Sequence, residues 1–142
     1  MWFKVVMTRR RLPSAEQMSP YFHKWLQWME TDQELSPNTV KSYGEGIRRL
    51  VAYAEISPSS FGPASFDQYS LIETMREMRL GLDVSVTTTR KSIYALKNFY
   101  VFCGMSGLVR PPVVFSRVLR LVPYRRSAPW IPVETFGPED WP

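Results

Sequence analysis

Apolar residues recur at steps of three and four positions in several stretches of this chain, a spacing that places them on one face of an α-helix. The first two stretches follow Ser19-Pro20 and Ser36-Pro37. A serine supplies a capping oxygen, and a proline suits the first helical position because its missing N–H is not needed there. The pattern therefore predicts helices over about residues 20–31 and 37–55.

The second predicted helix contains two glycines in its middle, Gly44 and Gly46. Each costs about 1 kcal/mol relative to alanine in a helix interior. Such a position indicates either a close approach to another element or simple tolerance, and the pattern alone leaves both open.

The rest of the chain predicts two further main helices. Residues 65–68 match a capping box, which predicts a third helix ending near Leu80. Ser85 then opens a fourth helix that closes around residues 104–107. Seven of the twelve prolines lie from Pro111 onward, so only a short helical piece around residues 115–121 is predicted there.

These elements predict an all-α fold, a bundle of four to five helices with an irregular proline-rich C-terminal tail. The chain has 142 residues, 44% of them hydrophobic, which suffices for one core. We expect a basic N-terminal arm over residues 1–18, a helical domain over residues 19–112, and a proline-rich linker or tail over residues 113–142.

Charge is distributed unevenly along the chain. Residues 1–83 carry ten basic and ten acidic residues, whereas residues 84–133 carry eight basic residues and no acidic one. Such a stretch attracts polyanions, either nucleic acid or an anionic membrane surface. On the fourth predicted helix the basic arc is lined with threonines rather than flanked by exposed aromatic residues, which favours nucleic acid.

The sequence lacks the residues that several other classes of protein need. No apolar run approaches the roughly 18 residues that span a bilayer, and the apolar start is too short for a secretory leader, so we expect a cytoplasmic protein with no membrane partner. His23 and Cys103 are the only histidine and the only cysteine. No zinc set, no internal disulfide and no cofactor are therefore expected, and Cys103 is predicted to be a small buried residue.

Two stretches resemble the core-binding domains of tyrosine recombinases, the phage-integrase family. Residues 35–43, LSPNTVKSY, resemble the signature that opens a helix of that domain, and residues 85–100, SVTTTRKSIYALKNFY, resemble its last main helix. The resemblance covers residues 19–112. It implies an orthogonal, SAM-like bundle of four to five helices that lays its second and fourth helices across the major groove of double-stranded DNA.

The resemblance also implies that catalysis belongs to a separate domain, with arginines, histidines and a nucleophilic tyrosine. Nothing in this chain matches that set, so we expect a domain that is not an enzyme, and Tyr43 and Tyr100 are expected to pack in the core. A recombinase catalytic domain and other protomers are further candidate partners. The alternative is a protein-interaction module that regulates a recombinase without binding DNA.

The candidate DNA-binding residues lie on the second and fourth predicted helices. Short hydroxyls and a lysine at a helix start suit phosphate oxygens, and the fourth helix is acid-free along its polar arc. The set is Thr39, Lys41, Ser42, Arg48, Thr87, Thr88, Arg90, Lys91 and Lys97.

The kind of DNA contact expected differs among the residues of this set, and other charged residues of the chain are expected to contribute less or not at all. Lys91 is expected to contact a phosphate, whereas Arg90 is left open between a phosphate and a guanine edge. Glu45 stands where related domains are often basic, which puts a phosphate contact at that turn in doubt. Arg117 and Arg120 are expected to matter less, because a mobile arm loses entropy when it becomes ordered on DNA.

Overall fold

A computed structural model describes residues 10–80, 84–105 and 113–122 of the chain. The described residues form five α-helices and no strand, so the all-α prediction is confirmed. The helices are α1 Pro20–Thr31, α2 Pro37–Ala54, α3 Gln68–Arg79, α4 Val86–Met105 and α5 Phe115–Arg120. The predicted irregular tail from residue 123 and the first nine residues of the predicted arm lie outside the described residues.

The starts of α1 and α2 follow from the serine caps that the sequence predicts. The Ser19 hydroxyl accepts a hydrogen bond from the backbone N–H of Phe22, and the Ser36 hydroxyl accepts one from the backbone N–H of Thr39. Each cap satisfies one of the backbone donors that have no partner inside the first turn of a helix. Both starts are therefore confirmed.

The start of α3 differs from the prediction by two residues. Asp67 is the cap, because its carboxylate accepts a 2.7 Å hydrogen bond from the backbone N–H of Ser70 while the Ser70 hydroxyl accepts one from the backbone N–H of Asp67. The hydrogen bond from the Ser70 backbone N–H to the Asp67 carboxylate is the main cause that holds the pKa of Asp67 below its ordinary value. Ser65, the predicted cap, accepts from the backbone N–H of Gly62 and closes the preceding turn instead.

Trp25 lies at the centre of the core, on the face of α1 that meets α4. Its side chain is fully buried and its ring packs edge-on against Phe22 and Phe99, with ring centroids 5.8 Å apart in both cases. The indole N–H donates a 2.8 Å hydrogen bond to the side-chain oxygen of Asn98. The tryptophan therefore fills the core and also satisfies a polar side chain at its edge.

The helices α2 and α4 approach each other so closely at Gly46 that even a Cβ atom there would be crowded. A Cβ atom at Gly46 would lie 3.0 Å from the Cβ of Ala95 and 3.1 Å from the Cα of Ser92. A Cβ atom at Gly44 would meet only the ends of side chains, the nearest being Leu26 Cδ2 at 3.4 Å. Close approach is thus the correct interpretation for Gly46, whereas Gly44 is tolerated.

The predicted N-terminal arm contacts the bundle in its described part. The Arg10 guanidinium pairs with Glu55 at 3.1 Å and with Glu77 at 3.5 Å, which lie after α2 and near the end of α3. The same guanidinium lies over the ring of Tyr53, 5.2 Å from its centroid. Arg10 therefore links the segment before α1 to two helices.

Cys103 is buried in the core, as predicted, and burial raises the pKa of its thiol to about 11. Because the thiolate is the reactive form, we expect iodoacetamide at about pH 8 to label the native chain at least about one hundredfold more slowly than a free cysteine. Mass spectrometry of timed samples measures this rate, with the same chain in denaturant as the control. Equal rates with and without denaturant would contradict the buried placement.

Candidate nucleic-acid interface

The exposed side of α4 carries a ridge of polar side chains formed by Thr87, Lys91 and Tyr94. These three residues follow one another at steps of four and three positions, and all three are exposed. We call this set the α4 ridge. The predicted candidate Lys97 is also exposed, one turn beyond the ridge.

The helix α2 borders the ridge on one side and runs antiparallel to α4. Asn98, in the second half of α4, donates a hydrogen bond to the side-chain oxygen of Gln33, just before α2 begins. Arg49, in the second half of α2, donates to the hydroxyl of Ser92 in the first half of α4. The start of α2 therefore lies towards the second half of α4, and the end of α2 lies beside the start of α4.

The antiparallel direction of α2 and α4 separates candidate DNA-binding residues that the sequence groups into one set. Thr39, Lys41 and Ser42 are at the start of α2, whereas Thr87 and Thr88 are at the start of α4, so the two groups lie towards opposite ends of the crossing. Lys41 is exposed and Ser42 is partly buried. The Thr39 hydroxyl lies 2.9 Å from the Ser36 hydroxyl and completes the helix cap.

Arg49, which the sequence-based set omits, lies where α2 meets the start of α4. It lines a cavity of about 200 Å³ together with Ser85 and Thr88 from the start of α4. Its position three residues after Gly46 is the signal that could have identified it. A residue one turn along from a glycine at a helix crossing lies beside the facing helix.

The predicted candidate Arg48 points to the other side of α2. Its guanidinium donates a 3.0 Å hydrogen bond to the backbone oxygen of Pro13, in the segment before α1. Arg48 therefore holds that segment against α2 and lies apart from the α4 ridge.

The candidate Arg90 lies in the interior rather than on the ridge, with only 8% of its surface exposed. Its guanidinium donates to the backbone oxygens of Val122 at 2.9 Å and Leu119 at 3.4 Å, and to the Tyr94 hydroxyl at 3.2 Å. The C-terminal end of α5 and the residues just after it cover this arginine. The sequence predicts that Arg90 contacts DNA and leaves open whether it meets a phosphate or a guanine edge; its buried placement supports neither contact.

The family comparison covers the two helices that meet at this surface. The phage integrase, N-terminal SAM-like domain family matches residues 22–104, which is more than half of the chain. The chain belongs to this family. The resemblance inferred from residues 35–43 and 85–100 is thereby confirmed. No curated protein and no solved structure matches the chain.

The matched range places most of this surface within the SAM-like domain. It includes α2, α3, the α4 ridge and Arg49, whereas α5 lies after the last matched residue. The family domain is the N-terminal one of phage integrases and is not their catalytic domain.

The exposed lysines of the SAM-like domain form no ion pair with any residue that the structure describes. Among the described residues, no aspartate or glutamate lies at ion-pairing distance from Lys41, Lys91 or Lys97. All three are exposed, so their positive charge is available to a ligand in solution. The surface can therefore attract an anionic partner.

The tyrosines expected in the core of the SAM-like domain are placed there. Tyr100 is buried and its hydroxyl donates a 2.7 Å hydrogen bond to the backbone oxygen of Pro63. Burial raises the pKa of Tyr100 above its ordinary value, which disfavours the phenolate. Tyr43 is partly buried against the core.

The described part of the SAM-like domain contains neither a cluster of metal-binding side chains nor a membrane-spanning helix. Its histidine, cysteine and acidic residues form no group of three or more that could hold a metal ion. None of its described helices has both the length and the apolar character needed to cross a membrane.

Proposed function

We propose that this chain binds double-stranded DNA as the core-binding domain of a tyrosine recombinase. The observation that carries the proposal is the α4 ridge, where an exposed lysine and an exposed threonine lie on one face of the helix, with no carboxylate of the described residues at ion-pairing distance from Lys91. Lysine, arginine and hydroxyl side chains are the groups that commonly contact DNA phosphates.

In this proposal, a separate partner domain cleaves the DNA strand. The family domain that matches is not the catalytic one, and the two tyrosines discussed above pack against the core. A phosphoryl transfer also needs cationic groups around its nucleophile. We therefore expect neither Tyr43 nor Tyr100 to form a covalent adduct with DNA.

Binding to short duplex DNA, followed by fluorescence anisotropy at several salt concentrations, tests the proposal. Each phosphate that the protein neutralises contributes about −0.9 to the slope of log K against log[salt]. Lys91→Gln should therefore flatten the slope by about one unit and weaken binding to all sequences alike.

Lys24→Gln is the matched control, because Lys24 is an exposed lysine on α1. It removes the same charge away from the ridge and should leave the slope nearly unchanged. If the chain fails to bind duplex DNA even at low salt, the proposal is wrong and the alternative of a protein-interaction module is favoured. Equal effects of Lys91→Gln and Lys24→Gln would show that the ridge is not the DNA-binding face.

A further inference from the structure

The short helix α5 is docked on the bundle rather than carried on a loose tail. Val118 and Val122 are almost completely buried, and Phe115 packs against the ring of Tyr100 with centroids 6.1 Å apart. The opposite side of α5 exposes Arg117 and Arg120. Two arginines are thus presented on an element that is already ordered.

Arg90 holds the C-terminal end of α5 against α4. Its guanidinium donates to the backbone oxygen of Leu119, in the last turn of α5, and to that of Val122, two residues after the helix ends. The carbonyl groups in the last turn of a helix, here that of Leu119, carry a partial negative charge, which suits a cation. The arginine contacts residues 29 and 32 positions away in sequence and so fixes α5 relative to α4.

The helix α5 flanks the ridge on the side opposite to α2. The α2 side of α4 is marked by Ala95, which meets Gly46, and the α5 side is marked by Arg90. At about 100° per residue, the arc between these two positions is roughly 140° wide and contains all three residues of the α4 ridge. The ridge therefore lies between two walls, one from each neighbouring helix.

We propose that α5 forms the second wall of the DNA-binding surface, with Arg117 and Arg120 contacting backbone phosphates and Arg90 acting as the residue that positions them. The inference rests on the proposed function. Charge supports it, since residues 84–133 contain no acidic residue, and no described carboxylate lies at ion-pairing distance from Arg117 or Arg120.

Because α5 is docked on the bundle, we expect Arg117 and Arg120 to contribute more to DNA affinity than the sequence alone predicts. The sequence alone predicts a small contribution, because ordering a mobile arm on DNA costs conformational entropy. Here the backbone of α5 is ordered by Arg90 and by the burial of Val118 before DNA binds. Preorganised side chains bind with a smaller entropic cost, so their contribution should be comparable to that of Lys91.

The first part of the test compares charge-matched double variants in the same salt titration on short duplex DNA. Arg117→Gln with Arg120→Gln should flatten the slope of log K against log[salt] by about two units. Lys24→Gln with Arg76→Gln removes two exposed charges from α1 and α3 and should change the slope little.

The second part tests the role of Arg90 by a double-mutant cycle. Arg90→Met keeps much of the side-chain bulk and removes the donors to α5. If Arg90 acts by positioning α5, it should weaken DNA binding in the parent chain and cause little further loss in the Arg117→Gln/Arg120→Gln background. Hydrogen exchange without DNA should show that Arg90→Met lowers the protection of the α5 amides.

The outcomes separate this inference from the proposed function. If Lys91→Gln flattens the slope while the α5 double variant behaves like its control, the ridge binds DNA and the inference about α5 is overturned. If Arg90→Met weakens DNA binding as much in the Arg117→Gln/Arg120→Gln background as in the parent chain, Arg90 does not act by positioning α5. If circular dichroism shows that Arg90→Met does not fold, Arg90→Lys replaces it, because lysine keeps the charge without the guanidinium fork and should give the same non-additive loss.

Discussion

Trp25→Ala is expected to lower the free energy of unfolding by about 3 to 5 kcal/mol, the usual cost of removing a large aromatic side chain from a core. Trp25 is fully buried, packs against Phe22 and Phe99, and donates a hydrogen bond to Asn98. Domains of this size are commonly stable by only about 5 to 15 kcal/mol. Urea denaturation followed by far-ultraviolet circular dichroism measures the change.

Two variants separate the contributions of Trp25. Trp25→Phe keeps an aromatic ring but leaves the Asn98 oxygen without its indole donor, so it should cost about 1 to 3 kcal/mol. Tyr69→Ala removes a side chain that is 72% exposed and should change stability by no more than about 0.5 kcal/mol. If Trp25→Ala were as mild as Tyr69→Ala, the centre of the core would lie elsewhere.

Gly46→Val is expected to have the second largest effect, about 3 kcal/mol or more, because its side chain overlaps the backbone of α4. Even one Cβ atom would lie 3.1 Å from Ser92 Cα and 3.0 Å from Ala95 Cβ, so the two helices must move apart. Overpacking of this kind commonly costs about 1 to 3 kcal/mol, and a branched side chain is worse than alanine at such a crossing. Thermal and urea denaturation report the loss.

Gly44→Ala provides the matched control on the same helix. Its Cβ atom would make only ordinary contacts with the side chains of Leu26 and Phe22. Replacing a helical glycine by alanine should then raise stability by about 0.5 to 1 kcal/mol. If Gly44→Ala and Gly46→Ala changed stability by the same amount, the close approach of α2 and α4 at Gly46 would be refuted.

The helices were predictable because their signals are local. Ser19 and Ser36 each lie immediately before a proline and an apolar stripe, and both act as caps. The start of α3 was misplaced because Ser65 and Asp67 both have side chains that can cap, and only the conformation of the turn decides between them. A pattern of residue types contains no information about that conformation.

The candidate site was harder to predict because it depends on which elements cover each other. A helical wheel places Arg90 on the polar arc of α4, but α5 lies about thirty residues later in sequence and covers it. The sequence does not distinguish Arg49 from Arg48, because the antiparallel direction of α2 and α4, which places Arg49 beside Ser92, is a tertiary property. Lys91 lies on an exposed face, as the sequence predicts, since none of the described residues packs over that part of the arc.

The contacts of Arg10 have a consequence for the kinetics of folding. They join positions 42, 45 and 67 residues apart in sequence, on α2, after α2 and on α3. Loops of this length close slowly, and Arg10 has no complete binding surface until α2 and α3 have assembled. We expect these contacts to form after the transition state, so weakening them should speed unfolding and leave the folding rate nearly unchanged. The segment before α1 therefore governs how long the folded state persists rather than how quickly it forms.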